Sequence, residues 1–126
     1  MATVGVGVDI VDVARFELAL ARHPRIATRL FTDVERSDAR NRPERLAARF
    51  AAKEAVLKTL RVGFGAAPWT SIEVRRDDSG APTVVLHGRA AALALERGVD
   101  ELHVSLSHTP SSTAAFVVGC RQHDLG

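Results

Sequence analysis

Asp9, Glu54 and Lys58 are the residues here whose types and spacing can do chemistry as a group. Asp9 ends an alternating Gly-Val stretch, GVGVDI. Glu54 and Lys58 lie four apart in RFAAKEAVLK, with Lys53 just before them, and a third element, VSLSHT, brings Ser107, His108 and Thr109 to the end of a strand pattern. Two carboxylates from different elements are the usual protein share of a Mg²⁺ site, with phosphate oxygens and water filling the rest. Lysines and a histidine alongside would balance the remaining phosphate charge. The set therefore suits a bound polyphosphate. Each member also has a plainer reading: Asp9 as a cap, Glu54 with Lys58 as an i,i+4 helix pair contributing a few tenths of a kcal/mol, and His108 as a turn residue. Ser107 and His108 make no catalytic dyad by adjacency, because neighbouring strand residues point to opposite faces.

Lys53 poses a separate question. With residues about 100° apart around a helix, Leu46, Phe50, Leu57 and Leu60 form one apolar arc, and Lys53 falls inside it. A lone buried charge costs several kcal/mol unless paired, so a partner must meet it. The 17 basic residues divide into 15 Arg and 2 Lys, and both lysines belong to this stretch. Lysine is a compact point charge where arginine is a flat fork.

The elements that must position these groups read as follows. Val4, Val6, Val8 and Ile10 alternate with Gly5, Gly7 and Asp9, a strand whose bare face leaves room for a ligand or another backbone. Ile10 stands where a dinucleotide fingerprint needs its third glycine. Val13 to about Arg36 is helical, Arg-rich and broken at Pro24, and Arg42-Pro43-Glu44 starts a long helix running to about Leu60. Gly63, Gly65 and Pro68 mark a loop. Ser71 to Arg76 and Thr83 to His87 form a hairpin, Arg89 to Arg97 a short helix, and Leu102 to Ser107 with Thr113 to Cys120 a second hairpin. Hairpins with interspersed helices predict an α+β fold, a mostly antiparallel sheet packed against one long helix.

At 126 residues, with 46% hydrophobic and 25% charged residues, the chain is the size of one globular domain. Cys120 is the only cysteine, which excludes an intrachain disulfide and fits a reducing compartment. The N-terminus lacks a signal-peptide pattern, and no apolar run approaches about 18 residues. A soluble, cytoplasmic protein with no membrane partner is expected. A net charge of +2, one Trp, five Phe and no Tyr make a poor nucleic-acid binder.

GVGVDIVDVARF, RLFTDVE, RFAAKEAVLK, the Gly80-Ala81-Pro82 turn and VSLSHT, in this order, resemble the holo-acyl-carrier-protein synthase family of 4′-phosphopantetheinyl transferases over nearly the full length. The resemblance implies a 4′-phosphopantetheinyl transferase-like fold over residues 1–126. It also implies transfer of 4′-phosphopantetheine from coenzyme A to a serine of an apo acyl carrier protein of fatty-acid or polyketide synthesis, releasing adenosine 3′,5′-bisphosphate. By position, Asp9 and Glu54 match the family's Mg²⁺ ligands, and Lys58 the cation on the coenzyme A phosphates. Lys53 and His108 match other phosphate-side contacts, with Arg49, Ser107 and Thr109 lining the coenzyme pocket. Arg15, Arg22 and Arg25 match the basic contacts of the helix that docks the acidic carrier, and the family is typically a homotrimer with shared active sites. A non-catalytic carrier-binding relative and a Mg²⁺-dependent nucleotide phosphatase are the rival readings.

Overall fold

The computed structural model describes residues 1–122. The alternating stretch forms a long strand, β1 (Ala2–Asp12). It ends where Asp12 caps helix α1 (Val13–Arg22), its side chain accepting from Arg15 N at 2.9 Å. The Arg-rich region expected to break once, at Pro24, breaks twice. Helix α1 stops at His23, a short α2 covers Ile26–Leu30, and α3 covers Asp33–Ala39. The second break has a local cause. Thr32 and Glu35 form a reciprocal capping box that starts α3 anew after extended Phe31.

Helix α4 (Pro43–Thr59) is the long helix, with Pro43 in its first turn and Lys58 in its last. Strands β2 (Ile72–Arg76) and β3 (Pro82–Leu86) form one antiparallel hairpin, and α5 (Gly88–Glu96) follows. Strands β4 (Glu101–His108) and β5 (Ser112–Arg121) complete a three-stranded antiparallel sheet in the order β1-β5-β4. Asp9 lies opposite Ala115 on β5, which lies opposite Leu106 on β4. The α+β fold with an antiparallel sheet and one long helix is as the patterning predicts.

Which face of β1 meets the helix decides how the site is built. A Cβ on Gly7 would overlap the Ala55 carbonyl oxygen, and one on Gly5 that of Thr59, so the bare face is where α4 lies on the strand backbone to backbone. Side chains alternate, so Asp9 shares that face. The branched residues point away: Val6, Val8 and Ile10 are 60%, 45% and 70% exposed, and Phe116, opposite Val8, is 54% exposed. The core lies on the other side, where Val56, Leu57 and Leu60 of α4 meet Ile72, Val74, Ala115 and Val117. Cys120 is buried as a free thiol. A smaller cluster of Phe16, Phe31, Ala39, Leu46 and Ala47 holds α1 and α3 against the start of α4.

Candidate functional site

Close approach of α4 to β1 brings the Asp9 and Glu54 carboxyls together, near enough for each to act on the other's ionisation. Two carboxyls in contact cannot both ionise cheaply. Partial burial first, and the Asp9 charge second, push Glu54 up to about 7, while Lys58 pulls the other way. Lys58 Nζ donates to Asp9 Oδ1 at 2.9 Å and to the Val8 carbonyl at 3.0 Å. Its side chain is 53% exposed. The Asp9 side chain is 12% exposed, so the ammonium is the half of the pair that solvent reaches and that an arriving anion can draw away.

This arrangement makes stability depend on pH with a definite sign. Between the ordinary 4.5 of Glu54 and about 7, the folded chain holds a proton that the unfolded chain has released. Folding is therefore favoured at the acidic end of that window and loses the contribution as pH rises through it. The melting temperature of the metal-free protein is expected to fall between about pH 5 and pH 8, and Glu54→Gln is expected to flatten that slope. A thermal denaturation series in chelator checks both; a parallel slope in parent and variant would remove Glu54 as its source.

A second feature is a cleft of about 480 Å³ walled by α4 on one side and β2 on the other, with the end of β4 closing it. Arg45 and Arg49 come from α4, Arg75 and Arg76 from β2, and Ser107, His108 and Thr109 from the β4 end and its turn, with Pro82 at the rim. Glu44 is the one acid on this lining. Arg49 is only 3% exposed. It donates from Nη1 to the Arg45 carbonyl at 3.1 Å, while its Nε is buried without a partner. Burial first, and the neighbouring Arg76 second, hold its pKa below the usual arginine range. A buried guanidinium with an unused donor among like charges is a site for an anion.

The expected residues thus fall into separate groups. Asp9, Glu54 and Lys58 meet at the β1–α4 junction. Arg49, Ser107, His108 and Thr109 share the cleft, whose lining includes none of the first three. Arg15, Arg22 and Arg25 are exposed on α1 and just beyond it. No carboxylate pairs with these three among the described residues.

Lys53 is a correction. The resemblance places it on the phosphate side, but it is fully buried, with Nζ donating to Glu35 Oε1 at 2.7 Å, to the Trp69 carbonyl at 3.0 Å and to the Ile72 carbonyl. All three of its donors are used inside the protein, leaving none for a coenzyme. Its partner, Glu35, went unforeseen, although the Thr-Asp-Val-Glu spacing of a capping box signals it. Arg45, Arg75 and Arg76 were also missed. Arg45 stands one helical turn before Arg49 and could have been found, whereas nothing local in the sequence places Arg75-Arg76 opposite α4.

The carboxyl pair can be tested against a divalent cation. Among the described residues no group of three or more His, Cys, Asp and Glu could hold a metal by itself. Two partly buried carboxyls from different elements, side by side, fit Mg²⁺, which keeps waters and takes one or two carboxylates plus substrate phosphates. They do not fit an all-protein cage.

Comparison with known proteins gives a consistent result. Residues 5–117 match the model of the 4′-phosphopantetheinyl transferase superfamily. A holo-[acyl-carrier-protein] synthase of Moorella thermoacetica is 50% identical over 115 residues, 89% of this chain and 90% of that protein. One of Frankia casuarinae is 52% identical over 121 residues, 94% of this chain and 98% of that protein. Among solved structures, the Helicobacter pylori holo-[acyl-carrier-protein] synthase in complex with coenzyme A aligns with a TM-score of 0.83 at 27% identity. It covers 91% of this chain and 99% of that one. A Chronobacterium ammoniagenes ACPS-CoA complex aligns at 0.84 with 30% identity, covering 98% and 100%. With the α4 carboxylate, the β1 aspartate and the cationic cleft in one fold, the chain belongs to the 4′-phosphopantetheinyl transferase superfamily.

Proposed function

We propose that the chain transfers 4′-phosphopantetheine from coenzyme A to a serine of an acidic apo acyl carrier protein, with Mg²⁺, releasing adenosine 3′,5′-bisphosphate. The observation that carries this reading is the contact between Asp9 and Glu54 with Lys58 on Asp9. The serine oxygen attacks the β-phosphorus of coenzyme A, and the bond from that phosphorus to the bridging oxygen breaks. Lys58, released from Asp9 by the arriving pyrophosphate, meets the charge that develops on the leaving phosphate. Asp9 and Glu54 would hold Mg²⁺, which when bound supplies charge neutralisation across the pyrophosphate. The serine proton passes to one of these two carboxylates, directly or through water.

The cleft suits the other end of coenzyme A. Arg45, Arg49, Arg75 and Arg76 present positive charge to the phosphorylated ribose, beside the His108 ring, with the unused Arg49 Nε as a donor already desolvated. Neither carboxyl lines the cleft, and Val6, Val8, Ile10 and Phe116 form an exposed apolar sheet face. Both features support a site assembled between copies, the cleft of one facing the carboxyls of its neighbour. A homotrimer is the number the family resemblance implies.

Arg15 and Arg22, seven apart on α1, flank the half-exposed Leu18, and Arg25 follows the helix. A basic face with an apolar centre suits an acidic amphipathic helix of the carrier, charge speeding encounter and setting orientation. The described residues contain no helix long and apolar enough to cross a membrane. With the lone buried Cys120, this supports a place in the cytoplasm. Incubation with apo carrier, coenzyme A and Mg²⁺, followed by mass spectrometry of the carrier, tests the reading. A gain of one phosphopantetheine is expected. Carrier binding with no mass gain would make the chain a docking protein, and phosphate release from nucleotides without a carrier would make it a phosphatase.

A further inference from the structure

We infer that the buried Lys53–Glu35 pair is the positioning element of the cationic cleft, holding its two arginine-bearing walls at a fixed spacing. The inference rests on the transferase reading for the identity of the ligand, and on geometry for the rest.

Lys53 is on α4, the wall that carries Arg45 and Arg49. Glu35, at 0% exposure, receives Lys53 Nζ and Thr32 N on Oε1 and the backbone N–H of Val74 on Oε2, the last at 2.9 Å. Val74 lines the cleft and directly precedes Arg75 and Arg76 on β2. Lys53 also donates to the carbonyl of Ile72, two residues earlier on the same strand. One ion pair therefore bonds α4 to β2 on both sides of Glu73. Thr32 Oγ1 reinforces the junction by donating to Glu73 Oε2 at 2.6 Å, while Glu73 Oε1 accepts Arg75 Nε at 2.6 Å.

The walls need such a clamp because they repel. Arg45, Arg49, Arg75 and Arg76 face one cleft; Glu44 is the one acid on its lining, and Glu73, paired with Arg75, offsets only part of the remaining charge. An empty cleft of this kind gains by widening, and a widened cleft no longer reaches one phosphate from both sides. Packing of Gly5 and Gly7 on Ala55 and Thr59 sets the Asp9–Glu54 contact independently. Loosening the clamp should therefore weaken coenzyme binding and leave the chemistry of the bound complex alone.

The test uses the full chain and adenosine 3′,5′-bisphosphate as probe, by calorimetry, beside steady-state transfer kinetics. Glu35→Gln is expected to weaken bisphosphate binding about tenfold, raise the KM for coenzyme A in proportion and keep kcat within about twofold. The gap between variant and parent should narrow as salt rises from about 0.05 to 0.3 M, because screening relaxes the repulsion between the walls. If Glu35→Gln does not fold, Glu35→Gln/Lys53→Gln, which buries no charge, carries the same expectation. A variant with a lowered melting temperature but parental bisphosphate affinity and no salt-dependent gap would overturn the inference and leave the transferase reading standing. A parent chain that neither transfers nor binds the bisphosphate would remove both.

Discussion

Glu54→Gln is expected to lower phosphopantetheinyl transfer by about a thousandfold while the chain stays folded. Glutamine has the same shape and can still donate a hydrogen bond to Asp9, so the contact between β1 and α4 survives. What disappears is the second negative charge at the pyrophosphate, and with it half of the carboxylate pair suited to a cation. The acid also resists ionisation in place, being pushed up to about 7 by burial and by Asp9. Removing it should leave the metal-free protein at pH 8 at least as stable as the parent. Mass spectrometry of the carrier measures the first effect and circular dichroism the second. Preserved turnover would take Glu54 out of the reaction.

Lys53→Met is expected to act on the fold. The ammonium and the Glu35 carboxylate are both at 0% exposure. Deleting one partner strands a buried charge, which costs about 3–5 kcal/mol and removes the donor to the Trp69 and Ile72 carbonyls. For a domain of this length that lowers the melting temperature by about 15 °C. Lys53→Arg should not restore it, since a planar fork does not fit a cavity shaped for three acceptors around one nitrogen. A lysine working as a surface phosphate contact would behave oppositely, raising the KM for coenzyme A with an unchanged melting temperature. Thermal denaturation beside a coenzyme titration separates the two.

Much of this was legible from one sequence because it is written locally. The alternation of Val with Gly gives β1, Pro43 and the Ala-rich run give α4, and the turn residues from Asp77 to Pro82 give the first hairpin. The misplaced lysine announced a partner through the energetics of burial alone. Its identity needed three dimensions, because Glu35 is 18 residues away and reaches Lys53 only after α3 has started at its own cap. The valine face of β1 is a subtler case. Period-2 patterning shows that two faces differ but not which one is covered, and here α4 takes the glycine face because backbone can approach backbone only where no Cβ intervenes. Arg75 and Arg76 escaped for a related reason: their company is set by the packing of a hairpin on a helix, which adjacent residues do not encode.

The Trp69 carbonyl receives Lys53 Nζ, and the Trp69 ring lies 5.1 Å from Phe50 and 5.6 Å from Phe64 between centroids. It is the sole indole in a chain without tyrosine. Intrinsic emission excited near 295 nm therefore comes from one fluorophore, stationed where the loop after α4 ends and the clamp begins. The molecule carries its own optical gauge of that junction, with no label to attach and no second emitter to subtract.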